Sequence, residues 1–264
     1  MIRTYSGFTY GHTINENNKF LEFEETISGV LIAELNVGSY DLASFVAEVS
    51  RAMNAASLNE TYSTSLDRNT RKISITGSSS FSLLIASGST ALQSSFSLIG
   101  FNGSDLSGQL SYEGDSPSGS FFEPQFLLQD YIPFENDQKA NNVSINETPS
   151  GSLEVIKFGD VNFMSTNIRL QKNQSSDEPR SKDNIIKFST TGYDDLLSFM
   201  RYAVTKAPME FVPDVDNPSV FTSTLLESTT KDKKGTGFRL KELYAEGFAD
   251  WYETGTLVFR KLIN

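Results

Sequence analysis

Apolar positions in the first half of the chain fall into two periods. Leu42, Phe45, Val46, Val49 and Met53 recur at the spacing of one helix face, and Asp41 stands where an N-cap belongs, which predicts a helix over about 41–55. Either side of Arg68-Asn69-Thr70, TYSTSLD and KISITG alternate apolar and polar residues, which predicts a hairpin. Earlier runs, Ile2 to Tyr10, Phe20 to Glu24 and Val30 to Leu35, read as strands. After the hairpin comes FSLLIASGSTALQSSFSLIGF, residues 81–101. A membrane-spanning helix needs about 20 predominantly apolar residues, and serines and Gly88 interrupt this run. It reads as a strand from Phe81 to Ile85, a short helix from Thr90 to Ser97 and a turn at Ile99-Gly100-Phe101. Together these form a structural unit closing the first core.

From Asn102 to Gly151 the pattern is lost. NGSDLSG, GDSPSGS and NDQKANNVSINETPSG are polar and turn-rich, with one aromatic segment, FFEPQFLLQDYIPF, between them. Regularity then returns. Leu153 to Phe158, Asn162 to Leu170 and Asn184 to Ser189 read as strands. Thr191-x-x-Asp194 resembles a capping box, and it opens a helical stripe of Tyr193, Leu196, Leu197, Met200 and Val204 that stops before Pro208. Strands follow at Met209 to Val212 and Val220 to Glu227, with two more around Phe238 to Tyr244 and Tyr252 to Leu262. The expected organisation is a β-rich module with one helix over 1–105, a connector or arm over 106–150, and a second module with a helix near 192–206 over 151–264. One helix per half excludes the parallel doubly wound class, which alternates strands with helices. The expected class is α+β and β-rich.

Composition narrows the chemistry. The 264 residues hold no cysteine, which removes disulfides and thiolate catalysis, and twenty Phe with ten Tyr suit packed sheets. A net charge of −11 argues against a broad nucleic-acid surface, which needs a basic patch. The opening MIRTYSGFTYGHTINENN lacks the basic and apolar regions of a signal peptide. Asn-x-Ser/Thr matches at Asn102, Asn142, Asn146 and Asn173 are expected by coincidence in a chain this rich in Asn and Ser.

Few residues could carry a reaction. His12 is the sole histidine, so any Ser-His-Asp triad must use it. It sits in GHTINENN, which reads as a turn between strands. Glu123, Asp130 and Glu135, or Asp214 with Asp216, are carboxylates that a glycosidase could pair. PDVDNP, however, reads as a turn in which Asp and Asn serve the backbone, and it lacks the Gly and distal Glu of a calcium loop. GSTALQSSFSLIG has no Lys-Ser or Lys-Thr for a phosphate loop. KDKKGTG is a lysine-rich hairpin tip that could meet an acidic neighbour. No catalytic, cofactor-binding or metal-ligating residue is assigned. The residues expected to serve an interface are Phe121, Phe122, Phe126, Tyr131, Phe134, Lys231, Lys233 and Lys234.

GSLEVIKFGDVNF, DDLLSFMRYAVTKA, MEFVPDVDNPSVFTSTLLES and the closing TLVFRKL resemble the tail-tube and distal-tail (baseplate) proteins of tailed bacteriophages. LNVGSYDLASFVAEVSRAMNAAS in the first half is similar to modules of phage virion proteins. The resemblance implies a β-sandwich flanked by a helix in the second module, and a non-enzymatic subunit of the virion tail, assembled in the host cytoplasm. It implies a homo-oligomeric ring, a hexamer or trimer, that docks other phage tail proteins and encloses DNA without sequence-specific binding. No membrane or cofactor is implied. The alternatives from the residues are a receptor- or carbohydrate-binding virion protein with FFEPQFLLQDYIPF or Trp251 and Tyr252 as platforms, and a glycan hydrolase with paired carboxylates.

Overall fold

The computed structural model describes residues 6–122, 135–139, 143–147, 153–157, 161–171, 193–230, 237–238, 241–243 and 251–262. In chain order the elements of the first part are β1 (Gly7–Tyr10), β2 (His12–Ile14), β3 (Phe20–Glu25), β4 (Gly29–Glu34), β5 (Gly38–Tyr40) and α1 (Leu42–Ala56), then β6 (Tyr62–Asp67), β7 (Lys72–Leu83), α2 (Phe96–Ile99), β8 (Leu106–Glu113) and β9 (Ser120–Phe122). The second part holds β10 (Glu135–Lys139), β11 (Val143–Glu147), β12 (Leu153–Lys157), β13 (Val161–Gln171), α3 (Tyr193–Ala203), β14 (Met209–Val212), β15 (Thr222–Thr229), β16 (Lys241–Leu243) and β17 (Trp251–Lys261). The strand pairs described below are antiparallel, and the class is β-rich α+β. Among the described residues no helix is long and apolar enough to cross a membrane.

The chain divides into two compact units, one of Met1–Phe121 with Ala207–Phe221, the other of Phe122–Lys206 with Thr222–Asn264. These bounds differ from the composition-based ones in two places. Leu106–Glu113, expected in a connector, is β8 and pairs with β7. Ala207–Phe221 joins the first unit because β14 pairs with β1, Gly7 opposite Val212. β8 is held by backbone partners rather than by a visible apolar pattern, whereas β14 is the strand expected at Met209 to Val212 and only its pairing with β1 is long-range.

In the first unit β7 organises a five-stranded sheet. It has β8 along one side, while β6 and β3 share the other, and β4 continues outward from β3. Helix α1 covers the inner face with Leu42, Phe45, Val49, Ala52 and Met53, all buried against Leu21, Phe23, Ile73, Ile75 and Leu83. The Asp41 carboxylate accepts the Ser44 amide at 2.8 Å, the N-cap that the sequence predicts. Phe23, Tyr62, Phe81 and Tyr112 form an edge-to-face series with centroids 5.0–5.2 Å apart. The Tyr112 hydroxyl donates to the Phe81 carbonyl at 2.7 Å, so the polar end of this buried ring is satisfied.

Residues 81–101 close this core, with a correction to the expected local structure. β7 runs unbroken to Leu83, and in place of one helix over 90–97 there is a 3₁₀ turn, Ala91–Gln93, followed by α2. Side-chain oxygens compete for the amides a longer helix would use. Glu22 accepts the Thr90 amide at 2.9 Å together with the Ser89 and Thr90 hydroxyls, and the Ser94 hydroxyl accepts the Phe96 amide. Gly100 then ends α2 at φ +109°, a left-handed conformation that favours glycine.

In the second unit β17 lies between β13 on one side and β15 with β16 on the other, and β10 extends the sheet from β13. β11 and β12 form a separate hairpin. Leu257 and Phe259 on β17 point into the core and are fully buried, as their alternation predicts. Helix α3 buries Leu196, Phe199, Met200 and Ala203, and the Phe199 ring lies 6.4 Å from that of Phe259. After the helix Lys206 takes a left-handed turn, and its ammonium donates to the Leu226 and Glu227 carbonyls at 2.5 and 2.7 Å. β15 starts at Thr222 rather than Val220, whose amide is held in a turn by the Asn217 carbonyl. The expected strand 184–189, the Thr191 cap and the KDKKGT loop lie outside the described residues.

Candidate functional site

The first turn of α1 presents amides without intrahelical partners. Asp41 takes that of Ser44, and Glu210 of β14, far along the chain, accepts the Ala43 amide at 2.8 Å. Glu210 is fully buried and meets Arg68, whose Nη1 donates to Oε2 at 2.8 Å while Nη2 stands 3.5 Å from Oε1. The Arg68 guanidinium also lies 3.6 Å from the centroid of the Phe221 ring, a cation–π contact. Burial pushes the Glu210 carboxyl above its ordinary range, and the Arg68 guanidinium and Ala43 N–H oppose that shift.

His12 lies beside this cluster, and its position corrects the expectation of a turn. It belongs to β2, opposite Tyr40 of β5, and is fully buried with its ring 4.9 Å from that of Phe45. Nε2 is 3.1 Å from the Ser118 hydroxyl oxygen, which itself lies 2.9 Å from the Leu98 carbonyl. The carbonyl can only accept, so it takes the one hydroxyl hydrogen, and Nε2–H donates to Ser118. That assignment leaves Nδ1 as the basic nitrogen, and it has no hydrogen-bond partner among the described residues. Burial lowers the His12 pKa to about 4; the Asp41 charge works against this and Arg71 with it. Gly119, at φ +64°, lets the chain pass over the imidazole, since a Cβ there would lie 2.5 Å from Nε2.

A serine, a histidine and a nearby aspartate therefore occur together, but in the wrong sense for a nucleophilic triad. The serine proton points at a carbonyl rather than at the histidine, no hydrogen bond among the described residues orients Nδ1, and both side chains are sealed from solvent. A base with a pKa of about 4 is also mismatched to work near neutrality. What the cluster does is bind chain segments together: α1, β2, the 67–71 turn, the 118–119 loop and β14.

The residues expected at an interface separate. The Phe122 ring is buried in the second unit and stacked on Phe199 at 4.5 Å, so it is a core residue of its own chain. Phe121 is half-buried with the Arg71 guanidinium 4.8 Å above its ring. Phe126, Tyr131, Phe134, Lys231, Lys233 and Lys234 lie outside the described residues, as do Glu123 and Asp130. Asp214 and Asp216 form the turn that their sequence predicts, with the Asp216 amide donating to the Asp214 carboxylate at 3.1 Å. Glu210 and Arg68 had no local signal. Glu210 stands in an apolar strand and Arg68 at a turn, and only the fold brings them together. No protein-family model matches the chain, and a search of curated proteins finds no match.

Proposed function

We propose that this chain is a non-enzymatic structural subunit of a bacteriophage tail, a distal-tail, baseplate or tube protein. In this role it assembles as a homo-oligomeric ring around the DNA channel and docks neighbouring tail proteins. One observation carries the reading. Two of the segments that resemble tail proteins fold in the second unit as an antiparallel sheet with a helix against it: TLVFRKL supplies the end of β17 within the sheet, and DDLLSFMRYA supplies most of α3, while MEFVPDVDNPSVF falls in the first unit. A sheet with a helix against it is the coarser part of the helix-flanked β-sandwich that the family resemblance implies.

Two further features support the reading. The Ser118–His12 pair is sealed and serves as a tie between segments. The net charge of −11 suits a channel wall along which DNA slides without adhering. Sedimentation velocity of the purified chain tests the proposal. The expected result is a species whose mass is a multiple of 29.2 kDa. A monomer that persists as concentration is raised would contradict it.

A further inference from the structure

In β4 the run Val30-Leu31-Ile32-Ala33 is apolar at four consecutive positions, the pattern of a strand covered on both faces. Only one face is covered. Ala33 is fully buried and Leu31 packs against the α1 core, while Val30 and Ile32 remain 53% and 45% exposed on the other face. Two apolar residues stand at loop tips beside the start of the strand, Ile27 at 76% and Leu58 at 82% exposure, and the Asn59 amide ties the two loops by donating to the Ser28 hydroxyl at 2.8 Å. Among the described residues β4 pairs with β3 alone; on its other edge the Arg51 guanidinium donates to the Glu34 carbonyl at 3.0 Å, and the edge is free at Val30 and Ile32. A free edge with apolar side chains on its open face is a template for another strand.

Charge identifies what fits. Glu24 lies exposed on β3 opposite Val30, and Glu34, exposed, closes the strand, with Glu16 close by. Lys19 is largely covered and bonds both Glu16 and Glu34, at 2.8 and 2.6 Å. Arg51, at the Glu34 carbonyl, is itself bonded to Glu48 at 2.6 Å, so Glu16, Glu24, Glu34 and Glu48 outnumber Lys19 and Arg51 and the rim is acidic on balance. A second copy would bring the same acidic rim to this edge, and nucleic acid or an anionic membrane would be repelled as well. We propose that the free edge of β4 takes up an extended segment of a different protein, with apolar residues set against Val30 and Ile32 and Lys or Arg set against Glu24 and Glu34. Backbone pairing supplies affinity in such strand addition, and alternate side chains supply specificity. This inference rests on the first unit alone and does not depend on the tail reading.

The probe is a synthetic Lys-Thr-Val-Thr-Val-Thr-Lys peptide, whose Lys, Val, Val and Lys share one face, with Glu-Thr-Val-Thr-Val-Thr-Glu as control, added to the chain. Fluorescence anisotropy reads binding, and hydrogen exchange reads protection at residues 29–34. The basic peptide should bind, slow exchange in β4, and weaken about tenfold or more when salt shortens the screening length. The V30K/I32K variant changes two exposed positions, so it should keep the wild-type melting temperature while losing about tenfold or more in affinity, because like charges then face each other. No binding, equal binding of the acidic peptide, or unchanged binding by V30K/I32K overturns the proposal. So does a wild-type self-association that V30K/I32K abolishes, since that assigns the edge to a second copy.

Discussion

Replacing Arg68 by Met leaves the Glu210 carboxylate fully buried, with the Ala43 amide as its one remaining hydrogen-bond donor of those described above. Methionine keeps an apolar stem and a sulfur to set against Phe221, so the loss is mainly of charge. A charge-assisted hydrogen bond such as the 2.8 Å contact contributes about 1.5–3 kcal/mol. Stranding a buried charge brings the usual cost of such a break to about 3–5 kcal/mol. In a protein of this size that corresponds to a fall in Tm of about 6–20 °C. The sign of the pH dependence follows from the carboxyl. Burial already raises its folded pKa above the unfolded value, so protonation is favoured in the native state and stability falls as pH rises through that range. Without Arg68 the folded pKa rises further. The cost of R68M is therefore larger at about pH 8 than at about pH 5, because the carboxyl takes up a proton as pH falls. E210Q keeps an acceptor for the Ala43 amide and removes the charge, so the double variant R68M/E210Q should be more stable than R68M at about pH 8. Urea unfolding followed by circular dichroism at both pH values measures all three variants. A cost for R68M that is the same at both, or a double variant no better than R68M, would refute the assignment of a stranded buried charge.

Other outcomes follow from single positions. His12, lowered to about 4, binds a proton more weakly folded than unfolded, so stability is complete above the unfolded value of 6.5 and is lost as pH falls from there towards 4. The sole histidine gives one imidazole signal in an NMR titration, and a midpoint near 6.5 would contradict the sealed site. Phe259→Ala empties a fully buried position and should cost about 3–5 kcal/mol in urea unfolding. Leu92→Ala, at 99% exposure, should cost less than about 0.5 kcal/mol, and equal costs would displace β17 from the core. Gly119→Ala meets both a positive φ and the His12 ring, whereas Gly103→Ala meets a positive φ and open space. The first should lower Tm clearly more than the second, and the reverse order would contradict the packing over His12.

What the sequence revealed depended on the range of the interaction. Helix α1 was legible to within a residue because its stripe and its Asp41 cap are local, and so was the β6–β7 hairpin with its alternating Ile73 and Ile75. β2 was not legible: three residues flanked by Gly and Asn are too short for a period-two signal, and His12 reads as a turn residue until β5 pairs with it. β8, LSGQLSYE, was read as connector because its side chains are mostly exposed and its place is fixed by backbone bonds to β7. The Arg68–Glu210 pair spans 142 residues, and no local pattern marks either partner. The fold class and the inward-facing Leu257 and Phe259 of β17 came from periodicity. The polar cluster came from topology, which periodicity does not encode.

Electron microscopy of the purified chain at high concentration tests most directly whether it is a ring subunit. The expected particles are closed, with cyclic symmetry and an open centre, and are built from a whole number of 29.2 kDa copies. Isolated, asymmetric particles of single-chain size at every concentration would contradict ring assembly.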